Sequence, residues 1–275
     1  MKETTMPDVP VVMESILLKR DGAIATVTLN RPAALNALSP QMNLELSDVT
    51  SELELDESVR CVVIQGAGEH FMAGGDVKGF SEATLDPQLR KLALERGISE
   101  THSIITRLRR MPKPVLGSVR GAVAGFGMSL MSACDLVIAA DSSFFTLAYC
   151  HIGASPDGGA TYALPRSVGV KLAMEIALLG DRFDAQRALE LGLVNRVVAL
   201  AELEASTNRL AARLAKGPTA VYGRTKRLIN ESLDHTLAEH LQAEQDSFVA
   251  SAFGADFTEG VRAFVEKRKT VFVGR

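Results

Sequence analysis

The sequence predicts an α/β protein with a helical C-terminal region, and three observations predict this class. Up to residue 199, short apolar runs that favour β-strands alternate with stretches of helical periodicity. From about residue 200 onward, amphipathic helices follow one another without a strand pattern. The chain has 275 residues, of which 47% are hydrophobic and 23% charged, so it can bury a sizeable core.

The first predicted elements are a lead-in, a hairpin and a helix. Residues 1–14 carry acids and prolines where a secretion signal needs a basic and then an apolar stretch, so we expect a disordered lead-in. A hairpin is predicted over Ser15–Leu18 and Ala23–Leu29, because Asp21-Gly22 between them is a turn signal. A helix is predicted over about Pro40–Leu55 from the spacing of its apolar residues.

Further along the chain, short apolar runs predict strands that are buried on both faces: Cys61–Ile64, Val115–Val119 and Leu136–Ala140. A loop over Gly66–Asp76 and a long helix over about Gln88–Arg110 separate the first two strands. Amphipathic periodicity then predicts four helices, Ala201–Ala215, Thr219–Leu233, Leu237–Ala252 and Phe257–Lys269. We therefore expect a core over residues 15–199 and a helical region over 200–275 that packs on the core or contacts other subunits.

Composition excludes several classes of partner. There are 30 Lys and Arg against 33 Asp and Glu, so the chain lacks the basic field that nucleic acid or anionic lipid requires. Cys61, Cys134 and Cys150 are too few for a disulfide framework and indicate reduced thiols in the cytoplasm. The most apolar stretch, Gly121–Ala140, is interrupted by Asp135 and does not predict a membrane span.

Two glycine-rich segments could bind a ligand through their backbone. His70–Val77 follows the Cys61 strand, and glycines there let a ligand approach N–H groups closely, as in an oxyanion hole. Gly121–Ser129 runs from a strand into a small-residue helix, whose N-terminus supplies unpaired N–H groups. The alternatives are a tight turn for the first segment and close helix packing for the second. Neither segment is a nucleotide-binding fingerprint.

A third glycine-rich segment, Ile152–Gly159, contains Asp157 after Ser155-Pro156 and before a predicted helix. An aspartate at this place is either the N-cap of the helix or a catalytic acid or base. The residues alone leave both interpretations open, and the two are compatible.

Six segments together resemble the enoyl-CoA hydratase/isomerase superfamily, also called the crotonase family. The resemblance covers nearly the whole chain after about Ser15. The matching segments are Leu29-Asn30-Arg31-Pro32 with Leu35-Asn36-Ala37-Leu38, Ala73-Gly74-Gly75-Asp76, Lys113-Pro114-Val115, the run from Gly121 to Gly127, the run from Ala188 to Val194, and the run from Gly260 to Lys269.

The resemblance implies a crotonase-like spiral of β-β-α units and a C-terminal helical trimerisation region, in trimers or dimers of trimers. It also implies that two backbone N–H groups, those of Gly75 and Phe126, stabilise the enolate of a CoA thioester. Phe126 stands where most members have glycine. The thioester is the substrate, and no cofactor or metal is implied.

By the same resemblance, the acyl-CoA contacts lie in three regions: an early segment in which Ala33 stands where a basic residue is common, the first glycine-rich loop, and the C-terminal helix. Ala73, Asp76 and Val77 line the first glycine-rich loop, and Phe264 and Lys267 lie on the C-terminal helix of the same or a neighbouring subunit. For Lys267, a solvated charged helix face is the alternative.

The acidic residues decide the expected chemistry. Hydratases of the family use two glutamates, and this chain has Ser129 and Tyr149 at those positions, which weakens a hydratase assignment. Asp157 stands where isomerases of ring-epoxidised phenylacetyl-CoA and aryl-CoA dehalogenases have an acid. His102 stands where the dehalogenases have a histidine, although a lone helical histidine is more often a surface or packing residue.

The resemblance and this acid pattern lead us to expect an enoyl-CoA double-bond isomerase in which Asp157 carries the proton. A hydratase with atypical acid and base residues is the main alternative. An aryl-CoA dehalogenase-like enzyme, a non-catalytic acyl-CoA-binding subunit and a structural scaffold are the others.

Overall fold

The computed structural model describes residues 11–77 and 86–275, and these form two β-sheets surrounded by helices. The strands are β1 (Val11–Val12), β2 (Ile16–Asp21), β3 (Ile24–Leu29), β4 (Cys61–Gly66), β5 (Val115–Val119), β6 (Ala122–Ala124), β7 (Leu136–Ala140), β8 (Phe144–Thr146), β9 (Phe183–Asp184) and β10 (Arg196–Val198). The larger sheet has the order β1-β2-β3-β4-β5-β7-β10, and the smaller has the order β6-β8-β9.

Helices cover both faces of the larger sheet and form the C-terminal region. They are α1 (Pro40–Leu55), α2 (Pro87–Arg110), α3 (Phe126–Ser132), α4 (Ala160–Val168), α5 (Val170–Leu179), α6 (Ala185–Glu190), α7 (Leu203–Ala215), α8 (Thr219–Glu231), α9 (Leu237–Ala252) and α10 (Ala255–Val265). In the part of the chain described, no helix is both long and apolar enough to cross a membrane.

The strands β3, β4, β5 and β7 run parallel, so their carboxyl ends lie at one edge of the sheet. Alternate residues of β4 point to opposite faces: Val62 and Ile64 join the main core, while Cys61 and Val63 pack toward α7. Burial on both faces explains why these strands are continuous apolar runs rather than alternating ones. The α/β prediction and the predicted central strands are therefore confirmed.

The differences from the predicted elements lie at element ends and in short elements. The paired strand β1 begins at Val11, four residues before Ser15, where the sequence places the start of the core. Residues 1–10 of the predicted lead-in lie outside the described residues. The last helix ends at Val265 rather than Lys269, because Lys267 adopts a left-handed φ of 56°. The two-residue and three-residue strands β6, β8, β9 and β10 carry too few residues to show a period.

The chain's C-terminal tail returns to the core and is bound there. The carboxylate of Asp256 accepts hydrogen bonds from the N–H groups of Val273 (2.6 Å) and Gly274 (2.8 Å). Arg60 donates to the carbonyl of Phe272 (3.2 Å) and to the Thr219 hydroxyl (2.9 Å). Because Arg60 directly precedes β4, the tail is held at the amino end of the parallel strands, opposite the edge where the glycine-rich segments begin.

Candidate active site

Two glycine-rich segments meet at the carboxyl edge of the parallel sheet. The loop after β4 and the chain after β5 pair through a bridge in which Met72 N–H donates to the Ala122 carbonyl (3.0 Å) and Ala124 N–H donates to that of Met72 (2.9 Å). Beyond it, a Cβ placed on Gly125 would lie 3.3 Å from the Gly74 Cα. Both glycines have positive φ, 102° at Gly74 and 50° at Gly125. Side chains there would strain the backbone and separate the segments.

Each of these segments presents an unused backbone N–H. Leu38 donates to the Gly74 carbonyl (2.8 Å) and accepts from Asp76 N–H (3.1 Å), so the N–H of the intervening Gly75 points away from Leu38. Phe126 is the first residue of α3, where a helical N–H has no acceptor within the helix. Within the described residues, neither the Gly75 N–H nor the Phe126 N–H has a hydrogen-bond partner. The structure thus brings two free donors onto contacting segments.

Asn36 fixes the first loop in place. Its Nδ2 donates to the carbonyls of Ala67 (2.9 Å) and His70 (2.7 Å), and its Oδ1 accepts from Arg31 N–H (2.9 Å). Asn36 is fully buried and has a φ of 55°, a conformation that asparagine tolerates better than most residues. This one amide therefore joins the loop after β4 to the segment that begins at Arg31.

An ion pair adds a second tie to the same loop. The Arg31 guanidinium contacts the Asp76 carboxylate at 2.9 Å and also donates to the Ala37 carbonyl at 2.6 Å. Asp76 directly follows Gly75, so the pair holds the backbone beside the free Gly75 N–H. The Asp76 carboxylate accordingly has a structural contact.

Asp157 faces the second segment through Tyr149 and Gly158. The Tyr149 hydroxyl donates to Oδ1 of Asp157, and the Ser129 hydroxyl donates to its backbone carbonyl (2.9 Å). The N-cap of α4 is Gly159, which makes no side-chain capping bond, so the N-cap interpretation of Asp157 is wrong. The Asp157 side chain is half-buried and makes no capping hydrogen bond to α4.

The electrostatics of the Tyr149–Asp157 pair keep the phenol protonated. Burial, and then the neighbouring negative charge of Asp157, raise the pKa of Tyr149 above its ordinary value. Tyr149 therefore acts as a hydrogen-bond donor to the Asp157 carboxylate. The Tyr149 ring lies beside Gly125, 4.0 Å from a Cβ placed there, which puts the pair next to the two free N–H groups.

The other residues predicted for the site fall into two groups. Ala73 lies on the first loop and donates to the Leu35 carbonyl (3.0 Å), and Val77 is exposed at the end of that loop. His102 is exposed on α2 and lines a separate surface cavity of about 600 Å³ with Glu95 and Arg107. That cavity shares no residue with the contacts around Asp157.

Phe264 and Lys267 lie at the far end of α10. Phe264 is 86% exposed, and among the described residues no hydrogen bond or ion pair joins either residue to the two glycine-rich segments. The tail that follows them is bound at the amino end of β4 by Asp256 and Arg60. Within a single chain, the described hydrogen bonds and ion pairs therefore do not connect Phe264 or Lys267 to the candidate site.

Two contacts of the site escape reasoning from the sequence. The two hydrogen bonds that Asn36 Nδ2 donates join residues 31 and 34 positions apart, and no local sequence pattern indicates a contact over such a separation. The Tyr149–Asp157 bond spans eight residues across an irregular turn. In the sequence, these contacts are indicated only by an asparagine in a loop and by a tyrosine where the family has an acid. Neither residue type identifies its hydrogen-bond partner.

Comparison with known proteins identifies the family. A family model described as enoyl-CoA hydratase/isomerase matches residues 19–275. The chain is 36% identical to 1,2-epoxyphenylacetyl-CoA isomerase of Escherichia coli (strain K12), covering 96% of this chain and 100% of that protein. It is 33% identical to trans-2-decenoyl-[acyl-carrier-protein] isomerase of Streptococcus mutans, covering 95% and 99%.

A solved structure is similar over the same extent. The crystal structure of an enoyl-CoA hydratase from Polaromonas sp. JS666 superposes with a TM-score of 0.87 at 35% identity, covering 94% of this chain and 99% of that one. The expected crotonase-type fold with a helical C-terminal region is thereby confirmed. Some of these similar proteins are named isomerases and others hydratases, so the similarity does not distinguish between the two activities.

We predict that Asn36→Gly destabilises the protein by about 2–4 kcal/mol, because two buried carbonyls and one N–H lose their partner while glycine keeps the left-handed backbone. Denaturant unfolding measures the change. Leu35→Gly is the matched control: Leu35 also has a left-handed φ (53°), its side chain is 45% exposed, and we expect its loss to cost under about 1 kcal/mol. Equal destabilisation by the two variants would contradict the role of the Asn36 amide.

Proposed function

The chain belongs to the enoyl-CoA hydratase/isomerase family, and we propose that it is an enoyl-CoA double-bond isomerase. The observation that carries this proposal is the contact between Tyr149 and Asp157 beside two free backbone donors. An isomerase needs an oxyanion site and one carboxylate that moves a proton over one face of the substrate. Those are the groups that meet here.

The first role in the proposal belongs to the backbone. The N–H groups of Gly75 and Phe126 bind the thioester carbonyl oxygen and stabilise the negative charge that develops on it. Preorganised donors of this kind are worth most at the transition state, because they need no reorganisation during the reaction. The positive end of the α3 dipole adds to the stabilisation at Phe126.

The second role belongs to Asp157. Its carboxylate removes a proton from C2, the α-carbon of a 3-enoyl-CoA, and returns one at C4. The electron pair of the broken C–H bond enters the thioester as a dienolate, and the double bond forms between C2 and C3 when C4 is protonated. The Tyr149 hydroxyl donates to this carboxylate and keeps it in position. No other reactant is needed.

Hydration is less well supported by the side chains present. Adding water requires one group to activate the water and another to supply a proton. The Ser129 hydroxyl is 1% exposed and donates to the Asp157 carbonyl, and Tyr149 is a neutral phenol with a raised pKa. A hydratase would thus depend on Asp157 for both tasks.

The remaining alternatives lack a supporting contact. The dehalogenase-like alternative uses His102, which lies on a separate surface cavity. A non-catalytic acyl-CoA-binding subunit or a scaffold gives no reason for a tyrosine bonded to a half-buried carboxylate beside free N–H groups. We therefore favour an enzyme over either of these.

A homo-oligomer is also part of the proposal, as a trimer or a dimer of trimers. The C-terminal helices expose a series of large apolar side chains, and extensive exposed apolar surface marks an interface. Phe264 and Lys267 would then contact the CoA moiety bound in a neighbouring subunit. The exposed apolar residues include Ile229, Leu233, Leu237, Leu241, Phe248, Val249, Phe253, Phe257, Val261, Phe264 and Val265.

We predict that Gly75→Pro lowers kcat by about a hundredfold or more, because proline has no N–H and losing one oxyanion donor typically costs about 2.7–4 kcal/mol. Steady-state kinetics with a 3-enoyl-CoA measures this. CoA affinity and the melting temperature serve as controls and should stay close to those of the wild type. Activity within a few-fold of the wild type would remove Gly75 from the site.

We predict that Asp157→Asn lowers turnover at least about a hundredfold with little change in melting temperature. Asparagine keeps the size of the side chain and can still accept from Tyr149, so the change removes the proton carrier alone. An isomerisation rate equal to that of the wild type would show that Asp157 carries no proton.

Tyr149→Phe is the companion variant to Asp157→Asn. It keeps the ring beside Gly125 and removes the hydrogen bond to the carboxylate, so we expect about a tenfold loss of turnover. Turnover by Tyr149→Phe equal to that of the wild type would show that the hydroxyl does not support Asp157.

We predict that the protein sediments as a trimer or a multiple of a trimer at micromolar concentration. Burial of the exposed apolar residues of α8–α10 between subunits is the physical reason. Analytical ultracentrifugation makes the measurement, and Phe253→Asp, at a residue 89% exposed in the single chain, should weaken the assembly. A wild-type monomer would contradict the prediction.

A further inference from the structure

The His70 side chain binds the backbone of β6 where the two glycine-rich segments meet. Its Nδ1 accepts a hydrogen bond from the Ala122 N–H (3.1 Å), and Ala122 is the first residue of β6. An imidazole nitrogen that accepts from a backbone N–H carries no proton, so His70 acts here in its neutral form, with the proton on Nε2. Ala122 is 4% exposed, and the imidazole therefore satisfies a buried N–H.

The close approach of the imidazole to β6 depends on Gly121. A Cβ placed on Gly121 would lie 2.4 Å from His70 Nδ1 and 2.2 Å from the Glu69 carbonyl oxygen, so no side chain fits there. Gly121 also has a positive φ of 55°, a conformation that favours glycine. The available space and the backbone conformation thus both require glycine beside the imidazole.

The imidazole takes the place of a backbone acceptor. Met72 N–H donates to the Ala122 carbonyl and Ala124 N–H donates to the Met72 carbonyl, as in a parallel ladder. Continued by one step, this ladder would direct the Ala122 N–H to the carbonyl of His70. That carbonyl accepts instead from Asn36 Nδ2 (2.7 Å), and the Ala122 N–H donates to the imidazole of the same residue. The side chain of His70 therefore keeps the two segments bonded where the ladder is interrupted.

The strand β6 leads directly to one of the two free donors. Gly125 follows β6, and Phe126 then begins α3 with its free N–H. One edge of β6 pairs with β8, while the N–H groups of its first and last residues face the first glycine-rich loop on the other edge. The bond to His70 thus joins the loop that carries the Gly75 N–H to the strand that leads to the Phe126 N–H.

We propose that His70 is a positioning residue for the oxyanion site. Its imidazole holds β6 against the first loop, so that the N–H groups of Gly75 and Phe126 converge on one thioester oxygen. The inference rests on the proposed function, in which these two donors bind that oxygen. His70 moves no proton in the reaction and acts only through the backbone. A misplacement of about 1 Å can cost about a hundredfold in rate, so one hydrogen bond at this junction has a measurable effect.

The test replaces His70 with two side chains of the same shape, in His70→Asn and His70→Leu. Asparagine Oδ1 lies as many bonds from the backbone as histidine Nδ1 and can accept from the Ala122 N–H, whereas leucine has no acceptor. We expect His70→Leu to lower kcat for trans-3-hexenoyl-CoA about tenfold and to change KM by less than about threefold, because the loss falls on the transition state. His70→Asn should keep kcat within about threefold of the wild type.

An infrared measurement reports on the oxyanion site without turnover. Hydrogen bonds to a thioester oxygen lower the frequency of its carbonyl band, and saturated hexanoyl-CoA with an isotope label at that carbonyl has no double bond to isomerise. We expect bound hexanoyl-CoA to show the lowered frequency in the wild type and in His70→Asn, and about half of this shift or less in His70→Leu, where one of two donors is displaced.

Ser143→Ala is the matched control for a general loss of stability. The Ser143 side chain is buried and donates to the carbonyl of Val119 (3.2 Å), at the end of β5 and three residues before Ala122. The variant therefore removes a buried hydrogen bond from the same stretch of chain without touching the bond between His70 and β6. We expect its carbonyl band and its kcat to match those of the wild type.

The carbonyl band decides the inference separately from the proposed function. An unshifted band in the wild type, a full shift in His70→Leu, or an equal loss in His70→Asn or Ser143→Ala would overturn the role of His70, while isomerisation by the wild type would leave the proposed function standing. If the wild type shifts the band but isomerises no enoyl-CoA, the proposed function fails, and the expected difference between His70→Asn and His70→Leu still supports the inference. Should His70→Leu not fold, His70→Ala takes its place with the same expected result.

Discussion

The close approach of two backbone segments at Gly74 and Gly125 is the constraint on which the site depends. A Cβ on Gly125 would stand 3.3 Å from the Gly74 Cα, and both residues have positive φ, so only glycine meets the two demands together. The parallel sheet supplies the approach, because β4 and β5 are neighbours and both segments leave it at the same edge. The amide of Asn36 then keeps the first segment from moving away.

This constraint also determines where the polar groups of the site lie. Among the residues that the structure describes, the Gly75 N–H has no partner because the hydrogen bonds on either side of it, at Gly74 and Asp76, go to Leu38, and the Phe126 N–H has none because Phe126 begins α3. Tyr149 fills the space beside Gly125 and directs its hydroxyl to Asp157, which gives the half-buried carboxylate a donor. A half-buried charge needs such a donor, since burial of an unpaired one is costly. Packing and electrostatics thus favour the same arrangement.

Much of the fold follows from the sequence, and less of the site does. The helix over Pro40–Leu55 and the strands Val115–Val119 and Leu136–Ala140 have the predicted ends, because each has a clear period or apolar run between breakers. Asp157 could be nominated from its position, but only the structure, in which Gly159 is the N-cap of α4, excludes the N-cap interpretation. The partners of Asn36 are set by tertiary contacts between distant segments, which no local pattern encodes.

The central claim is that the Asp157–Tyr149 pair and the two free N–H groups move a double bond without adding water. The most direct measurement is incubation of the purified wild type with trans-3-hexenoyl-CoA, followed by mass spectrometry and by the absorbance of the conjugated thioester. This account predicts a product of unchanged mass whose absorbance is that of the 2-enoyl thioester. A product heavier by one water, without accumulation of the conjugated thioester, would contradict it.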